Sequence, residues 1–165
     1  MKIVPTLLEG LPYFQGLSAE EKEAIRSYIF QREVVRNETL LWEGEEATAL
    51  YYVASGQVKI FRTSTEGKEQ VLRLMGRGES FNEVPIFDGA PNPASVMALE
   101  PSLLYGIRRE DMLHILQLYP RVSLNFLRIF ARRLRELVGL VEDLSFRQVT
   151  ARLAKVLLQH AAEPG

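Results

Sequence analysis

Gly78–Glu100 reads GESFNEVPIFDGAPNPASVMALE. A glycine-punctuated turn delivers one carboxyl group, Glu83, beside a short apolar helical run. A loop rich in Gly, Pro and Asn follows, and then a strand of small residues. That layout can cradle a phosphate ester against backbone N–H groups at a helix start. Yet the loop holds no arginine or lysine to neutralise a phosphate. The build suggests a nucleotide pocket, and the missing charge argues against the nucleotide.

Outward from this stretch the signals are strands and turns. Glu33–Val35 and Thr39–Trp42 are short β-prone runs. Leu50–Ala54 and Val58–Arg62 flank the turn Ser55-Gly56-Gln57, and Gln70–Met75 follows a second turn at Glu66-Gly67-Lys68. Gly76 and Gly78 mark the next bend, and Pro101-Ser102 separates Ser95–Leu99 from Leu103–Ile107. Short strands spaced by glycine-containing turns predict an antiparallel barrel or jelly roll. The fold class is therefore mainly β with helices (α+β), a jelly-roll β-roll with flanking helices.

The flanks are helical. Ser18 followed by Glu21 is a capping box that opens a helix over Ala19–Tyr28. Arg109–Leu118 is a second short helix, with Met112, Leu113 and Leu116 on one side. Tyr119-Pro120 interrupts it, and Pro120 is placed to start a longer helix reaching about Leu144. At ~1.5 Å per residue that helix is ~37 Å long. It carries a seam: Leu127, Phe130, Leu134, Leu137, Val141 and Leu144 are spaced 3, 4, 3, 4, 3. This is the a/d alternation of a helix that meets a partner helix. The competing reading is a broad stripe buried within one domain, since Leu124, Phe126, Ile129, Val138 and Leu140 widen it. Few elements remain to cover so long a helix, which favours a homodimer through the seam. Arg128, Arg132, Arg133 and Arg135 read as a solvated flank beside it, with Glu136, Glu142 and Asp143 near enough to pair. After Ser145-Phe146, Arg147–Ala161 is predicted as another helix with Val149, Leu153, Val156 and Leu157 on its apolar side. With nothing evident for it to pack on, the chain is expected to be cut inside a second domain.

Composition removes several classes of function. A chain of 165 residues suits one domain with a real core and an appendage. A net charge of −1 supplies no global field toward nucleic acid or anionic membrane. The absence of cysteine removes disulfides, thiolate metal sites and Cys-ligated iron–sulfur clusters. The N-terminal run is broken by Pro5, Glu9 and Gly10, and no apolar stretch approaches the ~20 residues that span a bilayer. The expectation is a cytoplasmic protein without membrane contact. Phosphate-loop and nucleophile-elbow patterns are absent, no predicted strand carries a histidine, and no catalytic or metal-ligating set is expected.

Four motifs in order bring a family into view. The run GEEATALYYVASGQVKIF (Gly44–Phe61) resembles the glycine, tyrosine-strand, glycine, strand signature of Crp/Fnr-type transcription regulators. RGESFNE (Arg77–Glu83) resembles the start of their phosphate-binding cassette. FARRL (Phe130–Leu134) sits in a helix similar to their dimer helix, and LSFRQVTARLAKVLL (Leu144–Leu158) is similar to the start of their DNA-binding domain. The resemblance implies a cyclic-nucleotide-binding-like β-roll sensor over residues 1–119, a dimerisation helix over 120–144, and over 145–165 the first helix of a truncated winged helix-turn-helix. It implies a homodimer and DNA contact through the missing C-terminal part, with a small-molecule effector at the roll.

Residue by residue, the resemblance departs from cyclic-nucleotide binding. The cassette starts with a glycine-glutamate pair, and here the pair is Asn82-Glu83. Asn82 is acceptable because Asn enters left-handed backbone readily. Glu83 matches the residue that accepts from the ribose 2′-hydroxyl, although a carboxyl group here could instead cap a helix or pair with a base. The phosphate arginine falls at Asn92, or at Pro93 with a slip of one, and neither carries charge. Leu137 and Val138 fall where the resemblance implies hydroxyls facing the purine. Phe81, Asn82, Glu83, Val84, Asn92, Ala94, Ser95, Leu137 and Val138 thus form the candidate ligand pocket, and cyclic AMP is not expected to fill it. An iron–sulfur cluster or a Cys/His haem switch has no cysteine, and a His-ligated haem would have only His114 and His160, both on predicted helices. The expected function is effector sensing and dimerisation in a Crp/Fnr-type regulator, not an enzyme. The alternative is a stand-alone β-roll module acting through protein contacts.

Overall fold

The computed structural model describes residues 8–161, with side chains described as far as residue 141. The chain divides into two compact units, Met1–Ser123 and Leu124–Gly165.

In the first unit residues 8–10 are helical, and a 3₁₀ turn, Pro12–Phe14, and helix α1, Ala19–Arg26, follow. The capping box forms as predicted: Glu21 N–H donates to Ser18 Oγ at 3.1 Å, and Ser18 N–H donates to Glu21 Oε2 at 2.7 Å. The helix ends at Arg26, two residues before the predicted Tyr28, with Ser27 as its C-cap. Ser18→Ala removes the bond to an orphan N–H of the first turn and should cost about 1 kcal/mol. Urea denaturation of the variant checks this.

Eight strands follow among the described residues: β1 Ile29–Val34, β2 Thr39–Leu41, β3 Ala49–Ser55, β4 Gln57–Thr63, β5 Glu69–Gly76, β6 Ser80–Phe81, β7 Ser95–Ala98 and β8 Ser102–Arg108. They make two four-stranded antiparallel sheets, ordered β1-β8-β3-β6 and β2-β7-β4-β5. This is the predicted jelly roll. Strand β1 begins at Ile29, earlier than the run at Glu33, because its whole length pairs with β8 from Ile29↔Ile107 to Val34↔Ser102. Long-range pairing, more than local propensity, sets its start.

The roll closes over Val53, Val58, Ala98 and Leu104, all fully buried, with Leu40, Leu41, Met75 and Phe81 around them. An aromatic row crosses the first sheet inside the roll. Phe30 meets Tyr51 edge-on at 6.0 Å, and Tyr51 stacks on Phe81 at 5.5 Å. Gly106 lies between Phe30 and Tyr51 in register. A Cβ there would stand 2.2 Å from the tip of the Phe30 ring, so the row closes only because residue 106 has no side chain.

Between β6 and β7 lies a six-residue helix, α2, Glu83–Asp88. Helix α3, Arg109–Leu118, follows β8 at its predicted bounds. Helix α4 then runs from Pro120 to Ala161. It does not stop near Leu144, nor does Ser145-Phe146 interrupt it, so the separate helix predicted from Arg147 is a continuation. The physical reason is local: no glycine or proline occurs between Val141 and Ala161, and nothing else there breaks the i to i−4 ladder. The apolar side predicted at Val149, Leu153, Val156 and Leu157 lies outside the described side chains, as does that of Leu144. Among the described residues no helix is long and apolar enough to cross a membrane.

Candidate functional site

The cassette is built on two left-handed residues. Asn82, the N-cap of α2, has φ 67° and ψ 25°, and Gly89, its C-cap, has φ 73° and ψ 9°. The sequence placed an asparagine where the backbone must turn left-handed, and the structure uses it so. The Asn82 side chain does not cap α2. Its Nδ2 donates to the Ala49 carbonyl at 3.0 Å and ties the turn to β3. At the far end Arg109 Nε donates to the Ile86 carbonyl at 3.1 Å, which sets a guanidinium against the negative end of the short helix. These two bonds position α2 from outside.

Glu83 is 5 % exposed. Its Oε1 accepts from the Tyr13 hydroxyl at 2.7 Å and from Ser80 Oγ at 2.9 Å. Tyr13 and Ser80 oxygens are themselves 2.5 Å apart. Two hydroxyl hydrogens can fill two of these three oxygen–oxygen contacts. Two hydroxyl groups are thus among the internal partners of Glu83. Tyr13 lies 70 positions away in the N-terminal turn, and no local pattern links it to the cassette.

Asn92 is 2 % exposed. Its Nδ2 donates to the Trp42 carbonyl at 3.2 Å. A carbonyl only accepts, so this bond fixes which end of the amide faces Trp42. The Asn92 N–H donates to the Glu45 carbonyl at 2.8 Å, and its own carbonyl accepts from Gly44 N–H at 2.9 Å. Ser95 Oγ, nearby in sequence, accepts from Glu43 N–H at 2.9 Å. The cassette loop is thus zipped along the turn Trp42–Glu45. Asn92 Oδ1 has no hydrogen-bond partner among the described residues. What position 92 offers is a neutral amide, with no charge to set against a phosphate.

The remaining expected pocket residues divide. Phe81, Ala94 and Ser95 are buried in the roll, and Val84 is exposed on α2. Leu137 and Val138 belong to the second unit, where both are exposed on α4. Arg73, which the sequence reading passed over, stands close to the cassette: it pairs with Glu79 at 3.0 Å, four residues before Glu83. Glu79 also accepts from Gly76 N–H at 2.8 Å, so the pair braces the bend before β6. His114, half of the histidine complement, meets the Tyr28 ring edge-on at 6.0 Å, and the His160 side chain lies outside the described residues. A cleft of about 410 Å³ opens elsewhere on the roll, between Phe30, Ala49, Tyr51 and the residues Arg108–Glu110.

Residues 31–119 match the sequence profile of the family described as the cyclic nucleotide-binding domain. The chain is also 38 % identical, over 152 residues, to the cyclic AMP receptor protein of Thermus thermophilus, covering 92 % of this chain and 70 % of that protein. The chain belongs to the Crp/Fnr-type regulators of this family. A CRP-like cAMP-activated global transcriptional regulator of Mycobacterium tuberculosis is 34 % identical, over 92 % of this chain and 68 % of its own length. The fold agrees. The crystal structure of the Thermus thermophilus catabolite activator protein superposes with a TM-score of 0.75 at 38 % identity, over 90 % of this chain and 70 % of that one. The sensor domain of the transcriptional regulator DNR from Pseudomonas aeruginosa gives 0.74 at 26 % identity, over 84 % of this chain and 95 % of that one. In this Crp/Fnr-type chain the β-roll is that of the family.

Proposed function

We propose that this chain is the effector-sensing and dimerisation part of a transcription regulator, and that its effector is not cyclic AMP. One observation carries the second statement. The loop between α2 and β7 has no cation, and the residue at the arginine's place is a neutral amide that gives an N–H to the Trp42 carbonyl. A cyclic phosphate there would lose charge-assisted bonds worth roughly 1.5–3 kcal/mol each, or about tenfold or more in affinity per bond. Leu137 and Val138 support the same reading, since neither can hydrogen-bond a purine edge. Two relatives are named for cyclic AMP, so the contrast rests on these positions and not on the fold.

The expected result in titration calorimetry is no cyclic AMP binding in the micromolar range. Micromolar binding would overturn the reading of Asn92 and Leu137 together. Mass spectrometry of the natively purified protein would identify a retained effector directly.

The homodimer is proposed to form along α4, through Leu127, Phe130, Leu134, Leu137, Val141 and Leu144. An effector at the roll would change how two such helices pack and so reposition the DNA-binding parts, an interface shift of a familiar kind. DNA contact itself is assigned to the part of such regulators that lies outside this chain.

A further inference from the structure

Tyr13 is set into the fold rather than laid on it. It is 1 % exposed, between the buried Leu11 and Phe14, and its ring meets Phe14 edge-on at 6.5 Å. From this anchored place its hydroxyl reaches Glu83 Oε1, and Ser80 reaches the same oxygen. A carboxyl oxygen offers about two lone-pair directions. Tyr13 and Ser80 both stand within hydrogen-bond reach of it. Glu83 is also the cassette's only carboxyl group between Ser80 and Phe87.

We propose that Tyr13 is a specificity-determining residue of the cassette: its phenol is the built-in partner of Glu83, so a ligand hydroxyl reaches that oxygen only by displacing it. The inference rests on the reading of the cassette as the effector site. It goes further by stating what the effector lacks. A ligand that needs a ribose-type hydroxyl on Glu83 Oε1 competes with an intramolecular donor already held in place. Such a donor has a large advantage over a free one, because its positional entropy was lost on folding. The favoured effector is therefore one that makes its contacts away from Glu83 Oε1. The same geometry couples the cassette to the N-terminal turn, since taking Oε1 releases Tyr13.

The test uses neutral probes, so that the missing phosphate cation plays no part. Adenosine and 2′-deoxyadenosine differ by the one hydroxyl in question, and saturation-transfer NMR reads weak binding of each. In the unaltered chain the two should bind alike. In Tyr13→Phe, adenosine should bind about tenfold more tightly than 2′-deoxyadenosine, the size of one hydrogen bond to a carboxyl group. Adding Glu83→Gln should reduce that preference at least severalfold. The inference is overturned if Tyr13→Phe shows no preference, binding of neither probe included, or if the unaltered chain already prefers adenosine as strongly. A second measurement needs no ligand. Amide hydrogen exchange in Tyr13→Phe should quicken at residues 83–88 as well as 8–14. Quickening confined to 8–14 would detach Tyr13 from the cassette and overturn the coupling. Neither readout involves cyclic AMP, so the failure of this inference and the failure of the effector reading are separately visible.

Discussion

A Leu134→Glu variant is expected to sediment as a monomer at concentrations where the unaltered chain sediments as a dimer. Leu134 is 63 % exposed in the single chain, and Leu127, Leu137 and Val141 are similarly bare. At about 100° per residue these four fall within an arc of about 80° on α4, with the half-buried Phe130 inside it. A lone exposed leucine needs no explanation, but a continuous apolar stripe along one helix face does. A second copy of the same helix covers such a stripe most simply, because a two-fold interface sets each patch against itself. The glutamate would then enter the interface twice without a partner. A buried unpaired charge costs about 3 kcal/mol or more, which is roughly hundredfold in the dissociation constant for each copy. The variant should keep the thermal unfolding of the β-roll, since residue 134 is solvent-facing in one chain. An unchanged dimer in analytical ultracentrifugation would remove the seam from the interface.

The exposed apolar stripe on α4 was legible because it depends on spacing alone. So were the capping box at Ser18, the hairpin at Gly56 and the bounds of α3, each set by residues within a few positions of one another. Asn82 belongs with these: an asparagine at a forced left-handed turn is a local fact, and its φ of 67° follows. Strand β6 was not legible, since two residues carry no period, and it exists through the pairings Tyr51↔Phe81 and Tyr52↔Ser80. The site shows the same division more sharply. Sequence placed Glu83 and Asn92 in one cassette, but not the groups that hold them. Tyr13 is 70 positions from Glu83, and the Trp42 carbonyl is 50 from Asn92. Backbone carbonyls leave no mark in a sequence at all. Helix α4 failed in the opposite way: the stop near Leu144 was read at Ser145-Phe146, while the local residues favour helix throughout.

Gly56→Ala is expected to be among the most damaging single-methyl changes in the roll. Gly56 forms the apex between β3 and β4 with φ 86°, a conformation that costs other residues roughly 1–2 kcal/mol. Space is the larger obstacle. A Cβ at this position would stand 2.1 Å from Ser102 Oγ, 2.6 Å from Ser102 Cβ and 2.8 Å from the Pro101 carbonyl. Ser102 cannot swing aside freely. It is buried, its Oγ accepts from Gln57 N–H at 3.1 Å and donates to the Glu100 carbonyl at 2.8 Å, and the Leu99 N–H donates to the Gln57 carbonyl at 2.9 Å. The apex and the β7–β8 turn are one unit, and a methyl group forces them apart. Overpacking of this kind adds about 1–3 kcal/mol, for a total of about 3 kcal/mol or more and a fall in Tm of roughly 10 °C. Gly67→Ala separates the two causes. Gly67 has φ 81° at the β4–β5 turn, and a Cβ there meets nothing within 4 Å. That variant should lose about 1–2 kcal/mol, the backbone share alone. Removing the obstacle in Gly56→Ala/Ser102→Gly should recover part of the difference but not all, because the Pro101 carbonyl remains. If calorimetry finds Gly56→Ala no worse than Gly67→Ala, the close packing of the hairpin apex on Ser102 is not what holds the two turns together.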